Sequence, residues 1–490
     1  MKKALCYLVL LINLVGFSQK KYWIDFNIDF YSGIDSLKKK GFEIKTASEW
    51  LESVSIKLSE REKEAVQRLS YISDITPVQV FSVVSNNSFI SADFYGDYLS
   101  QMKPEVFDSL QLDGEGIVVG VIDAGFTNAD SSDLFAHIRN ENRIVAFKDF
   151  ITPDDQDFFH GKTDGDVHGH NVLGYLAGYD ETENKKIGLA TGALFYLART
   201  ENGDKEHLVE EDDWVKAIEW MYENGVQLVN TSLGYSEFDD PKENHEISDM
   251  NGRSTKISRA AEIAVMEKGM VIVVSAGNTG HKPWKHITAP ADARGVITVG
   301  ATNKNHMSRI FYSSTGVEFV SYIKPDVSSY SDRGTSYASP SVCGFVACIM
   351  QYAPELTNLE LKDIIIKSSH LYPYGNNYVG YGVPQADRAI GLINGTYDPQ
   401  EYTWMLTPKT KKTSFKLEDV SADYLVAFNK LNRYFVKNQN VINVKDGRGK
   451  KGKMKVRLKN GNAFIKLKRK KEISFTTIQI GKYVVEVSWQ

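Results

Sequence analysis

Cysteine is nearly absent from this 490-residue chain, which has Cys6, Cys343 and Cys348 only. A disulfide framework is thereby excluded, and stability has to come from a hydrophobic core. Cys343 and Cys348 stand five apart on a predicted helix, where neighbours on one face stand three or four apart. They are read as core thiols rather than a bridge. Proline is scarce, 13 residues beside 37 glycines, which excludes collagen-like and low-complexity chains. Long apolar runs are missing too. The single run, Ala4 to Phe17, falls short of the ~20 residues a membrane-spanning helix needs. It follows Lys2 and Lys3 and is closed by Gly16 and Ser18 at positions −3 and −1 of a cut before Gln19. That pattern reads as a signal peptide over 1–18, leaving a secreted chain without a transmembrane anchor.

The rest of the composition is that of a folded protein. Apolar residues make up 42% and charged residues 24%, which excludes wholesale disorder. The length leaves room for about three domains. The net charge of −4 conceals a division: residues 401–490 hold 21 Lys and Arg against 7 Asp and Glu, a net +14, and the remainder is −18. Such asymmetry predicts a separate basic module over 396–490. In it, Lys453-Met454-Lys455-Val456-Arg457-Leu458-Lys459 alternates strictly, Asn460-Gly461 is a hairpin turn and Phe464-Ile465-Lys466-Leu467 begins the return strand.

At the other end, 19–81 reads as a small α+β module. Tyr22 to Asn27 alternates like a strand, as does Trp50 to Ser59. Ser59 and Glu62 form a capping box, followed by Ala65, Leu69 and Ile72 at helical spacing, and Pro77 to Phe81 is expected to close the unit as a strand. Residues 82–103 are polar and read as a linker. Residues 104–395 alternate apolar strand runs with helices, the pattern of a mainly parallel α/β sheet covered on both faces. The strands expected there are Ile117–Ile122, Ala193–Arg199, Leu228–Asn230, Val271–Ser275 and Val296–Val299.

Four segments of this block place reactive side chains at strand ends or helix starts. Asp123 ends an apolar strand and is followed by Ala124-Gly125-Phe126. His168 lies in Asp166-Val167-His168-Gly169-His170-Asn171-Val172-Leu173-Gly174. Asn278 closes Ser275-Ala276-Gly277-Asn278. Ser336 lies in Gly334-Thr335-Ser336-Tyr337-Ala338-Ser339-Pro340, ahead of an apolar helix. Strand tips of an open parallel sheet point into the ligand crevice. A serine hydroxyl needs an adjacent base, a histidine can supply it, and an aspartate can fix the imidazole tautomer. An asparagine amide beside the serine N–H can hold an oxyanion. The chain order Asp, His, Ser distinguishes this set from the other known orders of the same triad.

These boxes resemble those of the subtilisin-like serine proteases, over about 104–395, especially bacterial secreted members with Asp-Ala-Gly-Phe at the Asp box. Ile323-Lys324-Pro325-Asp326-Val327, Pro290-Ala291-Asp292 and Gly295 to Gly300 are similar as well. The resemblance implies a subtilisin-like fold and hydrolysis of peptide bonds in protein or peptide substrates. It implies catalytic Asp123, His168 and Ser336, with Asn278 in the oxyanion hole. It implies that Ser232-Leu233-Gly234 pairs with an extended substrate, and that the N-terminal module acts as an intramolecular inhibitor. Two departures stand out. The usual His-Gly-Thr-His has become His168-Gly169-His170-Asn171, and only six residues separate Val327 from Gly334, where the family carries a longer wall segment. A catalytically impaired peptide- or surface-binding module is therefore the alternative.

The chemistry requires no cofactor. Calcium loops are an option at Asp154-Asp155-Gln156-Asp157 and at Asp249, but neither has regular ligand spacing, and a solvated acidic face is the simpler reading. The basic module lacks a recognised nucleic-acid-binding pattern. Its lysines read as a solvent face that protects sheet edges, with contact to an anionic cell surface as the functional option.

Overall fold

The structure, a computed structural model, describes residues 19–490 except 79, 82–97, 154–156, 162–163, 202–208 and 236–244. The segment read as a signal peptide and the acidic stretch from Asp154 to Gln156 lie outside the described residues. The chain divides into two compact units, 1–78 and 79–490.

The first unit runs β1 (Lys20–Phe26), α1 (Phe30–Lys39), β2 (Ile44–Ser48), β3 (Ser53–Leu58), α2 (Glu60–Gln67), β4 (Ile72–Pro77). Its antiparallel sheet has the order β2-β3-β1-β4. Ser59 and Glu62 make the capping box that opens α2. The closing strand is Ile72–Pro77, not 77–81, and the helix ends at Gln67. Pairing of Ile72 with Phe26 and of Ile75 with Ile24 draws these residues into the sheet, overriding their helical spacing.

The second unit is built on seven strands: β5 (Val118–Asp123), β6 (Ile144–Asp149), β7 (Leu194–Arg199), β8 (Leu228–Thr231), β9 (Val271–Ser275), β10 (Ile297–Thr302) and β11 (Val327–Tyr330). All pairs are parallel, in the order β11-β10-β9-β8-β5-β7-β6. Central strands are buried on both faces, which their unbroken Val and Ile runs require. Helices α3 (Val167–Ala177) and α6 (Thr335–Tyr352) pack together on one side, and α4 (Glu211–Glu223) and α5 (Lys256–Met266) pack together with β5 and β9. Cys343 and Cys348 are buried and unbridged in α6.

Residues 98–103, read as the end of a linker, belong instead to this unit's core. Tyr98, Leu99 and Met102 are buried, Tyr98 stacks on Tyr330 with ring centroids 4.8 Å apart, and Gln101 Nε2 donates to Asn303 O and Lys304 O.

Beyond the parallel sheet, nine strands form two antiparallel layers around a second core. They are β12 (Thr403–Leu406), β13 (Lys412–Leu417), β14 (Tyr424–Lys430), β15 (Val436–Asn443), β16 (Arg448–Lys451), β17 (Met454–Lys459), β18 (Asn462–Lys468), β19 (Phe475–Ile480) and β20 (Tyr483–Ser488). One layer has the order β12-β20-β19-β14-β15, and the other β13-β18-β17-β16. All pairs are antiparallel except β12 with β20.

Candidate active site

β5 delivers Asp123, fully buried, to the C-terminal edge of the sheet. Its Oδ1 accepts from the Ala124 N–H at 2.8 Å and from His168 Nδ1 at 2.6 Å. Donation from Nδ1 fixes the tautomer and leaves Nε2 as the acceptor of a neutral ring. His168 sits in the first turn of α3. That turn lies directly on the Asp123 loop: a Cβ on Gly169 would meet Gly125 O at 2.2 Å. Only glycine permits this approach.

Burial disfavours the His168 imidazolium, but the charge of Asp123 and the hydrogen bond to it outweigh that penalty and raise the pKa. His170 has a different environment. Its Nδ1 donates to Thr127 O at 2.8 Å, its ring packs edge-on to Phe135, and burial pulls its pKa down to about 4. It is a neutral packing group that ties α3 to the loop after β5.

Ser336 is the second residue of α6, a position whose N–H has no acceptor within the helix. Pro340 stands four residues later and has no N–H to give to the Ser336 carbonyl. That carbonyl accepts from Ser232 Oγ at 2.8 Å instead. Asn230 Nδ2 donates to Ser232 Oγ, and Ser339 Oγ donates to Asn230 Oδ1, so the end of β8 and the start of α6 are stitched together. The Ser336 hydroxyl points to Ser232 O at 3.3 Å. Among the described residues no hydrogen bond joins Ser336 to His168, although the His168 ring lies 5.7 Å from that of Tyr337, the next residue.

Asn278 follows the end of β9. Its Oδ1 accepts from the Thr335 N–H at 2.9 Å and from Thr335 Oγ1 at 3.1 Å. A backbone N–H can only donate, so the oxygen is assigned and Nδ2 is left as a donor beside Gly334.

Ser232, Leu233 and Gly234 continue past the end of β8. The parallel ladder stops at Thr231, and among the described residues the backbones of Leu233 and Gly234 have no backbone partner. This leaves an open edge beside Ser336. A Cβ on Gly234 would meet the Thr288 hydroxyl at 2.1 Å, so a larger residue here would have to displace that side chain.

Two residues that sequence reasoning passed over belong to the site. Arg199 ends β7 in register with Asp123. Its Nε donates to Ala124 O, Nη1 pairs with Asp149 at 2.9 Å and Nη2 with Asp166 at 3.2 Å, all buried. It thus clamps the loop after Asp123 to the residues that open α3. Glu201, also buried, accepts from Tyr235 OH at 3.1 Å, and burial, then the charge of Asp123, push its pKa well up. In the sequence both look like ordinary polar residues closing a strand.

The loop from β11 to α6 is short but pinned. Tyr312 OH donates to Ser331 O at 2.7 Å and accepts from the Gly334 N–H at 3.1 Å, while Ser331 Oγ donates to Gly334 O. Asp249, weighed as a calcium ligand, accepts from the Glu246 N–H and pairs with His245, the work of a helix cap.

A sequence model of the Subtilase family matches residues 114–382, more than half of the chain. Subtilisin DY of Bacillus licheniformis is 29% identical over 287 residues, spanning 56% of this chain and 91% of that protein. Subtilisin E of Bacillus subtilis strain 168 is 26% identical over 385 residues, spanning 75% and 89%. Among solved structures, the epidermin leader peptide processing serine protease of Staphylococcus aureus aligns with a TM-score of 0.55 at 19% identity, covering 78% of this chain and 100% of that one. Fervidolysin of Fervidobacterium pennivorans, a keratinolytic enzyme, aligns with a TM-score of 0.53 at 18% identity, covering 95% of this chain and 71% of that one. The structural likeness establishes a common fold.

Proposed function

The chain belongs to the subtilase family of serine peptidases, and on that premise we propose that it is a secreted endopeptidase acting through an acyl-enzyme on Ser336. The observation that carries the reading is the buried Asp123–His168 hydrogen bond beside the N-terminus of α6, where Ser336 sits. Substrate binding re-aims the Ser336 hydroxyl from Ser232 O toward His168 Nε2, since catalytic hydrogen bonds commonly tighten only in the complex. Oγ attacks the scissile carbonyl carbon while His168 takes its proton. The oxyanion is met by Asn278 Nδ2 and the Ser336 N–H. His168 returns the proton to the leaving amine, and water then releases the acyl group by the same route in reverse roles. The substrate main chain adds to the open edge at Ser232-Leu233-Gly234. The steps use no cofactor.

The N-terminal unit acts as the inhibitor of this cleft. Support comes from its α+β build and from Val80–Phe81, just beyond it, which pair antiparallel with Val209–Glu210 immediately ahead of α4. For secretion, the support is the apolar leader of the sequence, and among the described residues no helix is long and apolar enough to cross a membrane.

The test is intact mass after exposure to a fluorophosphonate. Wild type should gain one adduct and Ser336→Ala none. Folded wild type without adduct, both before and after removal of the N-terminal unit by limited digestion, would sink the proposal.

A further inference from the structure

We infer that the outward face of the four-stranded layer β13-β18-β17-β16 is a docking surface for an anionic polysaccharide. This goes beyond the peptidase reading and does not depend on it.

Strand alternation puts Met454, Val456, Ile465 and Leu467 into the core and leaves their neighbours outside. The register then lines up exposed residues in two rows across the sheet. Lys466 stands opposite Lys455, and Lys455 opposite Lys450. In the next row, Phe464 stands opposite Arg457, and Arg457 opposite Arg448. Among the described residues none of these five cations has an ion-pair partner. Together they line a trough of about 940 Å³.

Like charges directly opposite one another destabilise a sheet. Three such pairs on one face, without an interleaved acid, work against folding and call for an external counter-charge. Edge protection does not account for them, because Lys455, Arg457 and Lys466 lie on the two inner strands.

The occupant follows from the chemistry of the trough. Arginine binds carboxylate or sulfate groups through paired N–H donors. Neighbours within a row sit one strand apart, about 4.8 Å, close to the span of a single sugar ring. Phe464, 40% exposed amid the cations, offers one apolar ring on which a sugar can stack. A single-stranded nucleic acid asks for successive aromatic platforms, and stable anchoring to a bilayer for an apolar face that inserts beside the charge. This surface supplies neither.

The experiment uses the full chain carrying Ser336→Ala, so that it does not digest itself. Binding to heparin and to polygalacturonate is measured beside neutral dextran, a DNA duplex, single-stranded DNA and phosphatidylglycerol vesicles. Both acidic polysaccharides should bind, more weakly at high salt, and at least tenfold tighter than either DNA or the vesicles. The triple variant Lys455→Gln, Arg457→Gln, Lys466→Gln should lose at least tenfold in affinity while melting no lower than its parent. A control, Lys437→Gln, Lys445→Gln, Lys482→Gln, makes the same charge change elsewhere in the module and should lose less than threefold. Phe464→Ala should weaken polysaccharide binding without altering the response to vesicles. Equal losses in the two triple variants, tighter binding of DNA or vesicles, or no binding to either polysaccharide would overturn the inference. If the triple variant melts low, Lys466→Gln alone decides by the same criteria.

Discussion

Asn278 shows how one residue's role follows from what its other atoms are doing. Thr335 occupies Oδ1 twice, so the amide cannot flip and Nδ2 is held ready as a donor. Asn278→Ala should therefore lower kcat by about 10²–10³ and leave KM nearly unchanged, because in the proposed mechanism the lost donor acts on the oxyanion alone. Steady-state kinetics on one peptide substrate checks this, and a loss confined to KM would reassign the residue to ground-state binding. His168 gives a prediction with a sign. Its pKa is raised above 6.5, and the proposed mechanism uses the neutral ring as base, so kcat/KM should climb with pH through an apparent pKa above 6.5. In Asp123→Asn the charge that raises it is gone. The acid limb should then move to lower pH, with kcat down about 10⁴-fold. An acid limb at or below 6.5 in wild type would contradict the geometry. That Asp123 meets His168 and that Asn278 lies beside the start of α6 could be anticipated because each sits in a short box whose pattern is local. Arg199 and Glu201 could not be, because their partners come from other elements: only the parallel register of β7 with β5 brings them to Asp123.

At the scale of elements, the site is a meeting of a strand end with two helix starts, and Arg199 fixes one of those junctions. It ties the loop after β5 and the start of α3 to Asp149 at the end of β6. Arg199→Met would take the shared guanidinium away from two buried carboxylates, at a cost of about 3–5 kcal/mol. A fall of that size in the urea-derived stability is expected. The acid limb of kcat/KM should also shift to higher pH, because losing one positive charge beside α3 favours the His168 imidazolium. A merely structural arginine would change the first and not the second. The central strands were readable from their apolar runs, since burial on both faces leaves no alternation to confuse. The edge strand β6 and the short strand β2 were not read: both are partly exposed, and their identity comes from a neighbour's hydrogen bonds rather than their own pattern. The extent of α2 was misjudged for the same reason, since Ile72 keeps helical spacing while pairing as a strand.

At the scale of the molecule, charge announced a C-terminal module and Asn460-Gly461 its hairpin, but neither announced how it is attached. Its five-stranded layer is docked on the peptidase block. Leu371 and Val379 of the block share a buried cluster with Val426, Phe428, Val436 and Val484. Gln439 exchanges hydrogen bonds with the Arg309 backbone, and the Asn377 side chain accepts from the Val436 N–H. In sequence, these apolar residues cannot be told from members of either separate core. The attachment has a measurable consequence. A chain ending at residue 395 uncovers Leu371 and Val379, and burying a side chain of that size is worth about 1.5–3 kcal/mol, so the block should lose roughly 3–6 kcal/mol. For a domain of this size, that corresponds to a fall in Tm on the order of 10 °C. Calorimetry on the truncated and full chains, both carrying Ser336→Ala, reads it directly. An unchanged Tm would make the module a passenger joined by a tether. The expected fall would make it a structural part of the peptidase, so that activity lost on deleting it could not be taken as evidence for a role in binding substrate.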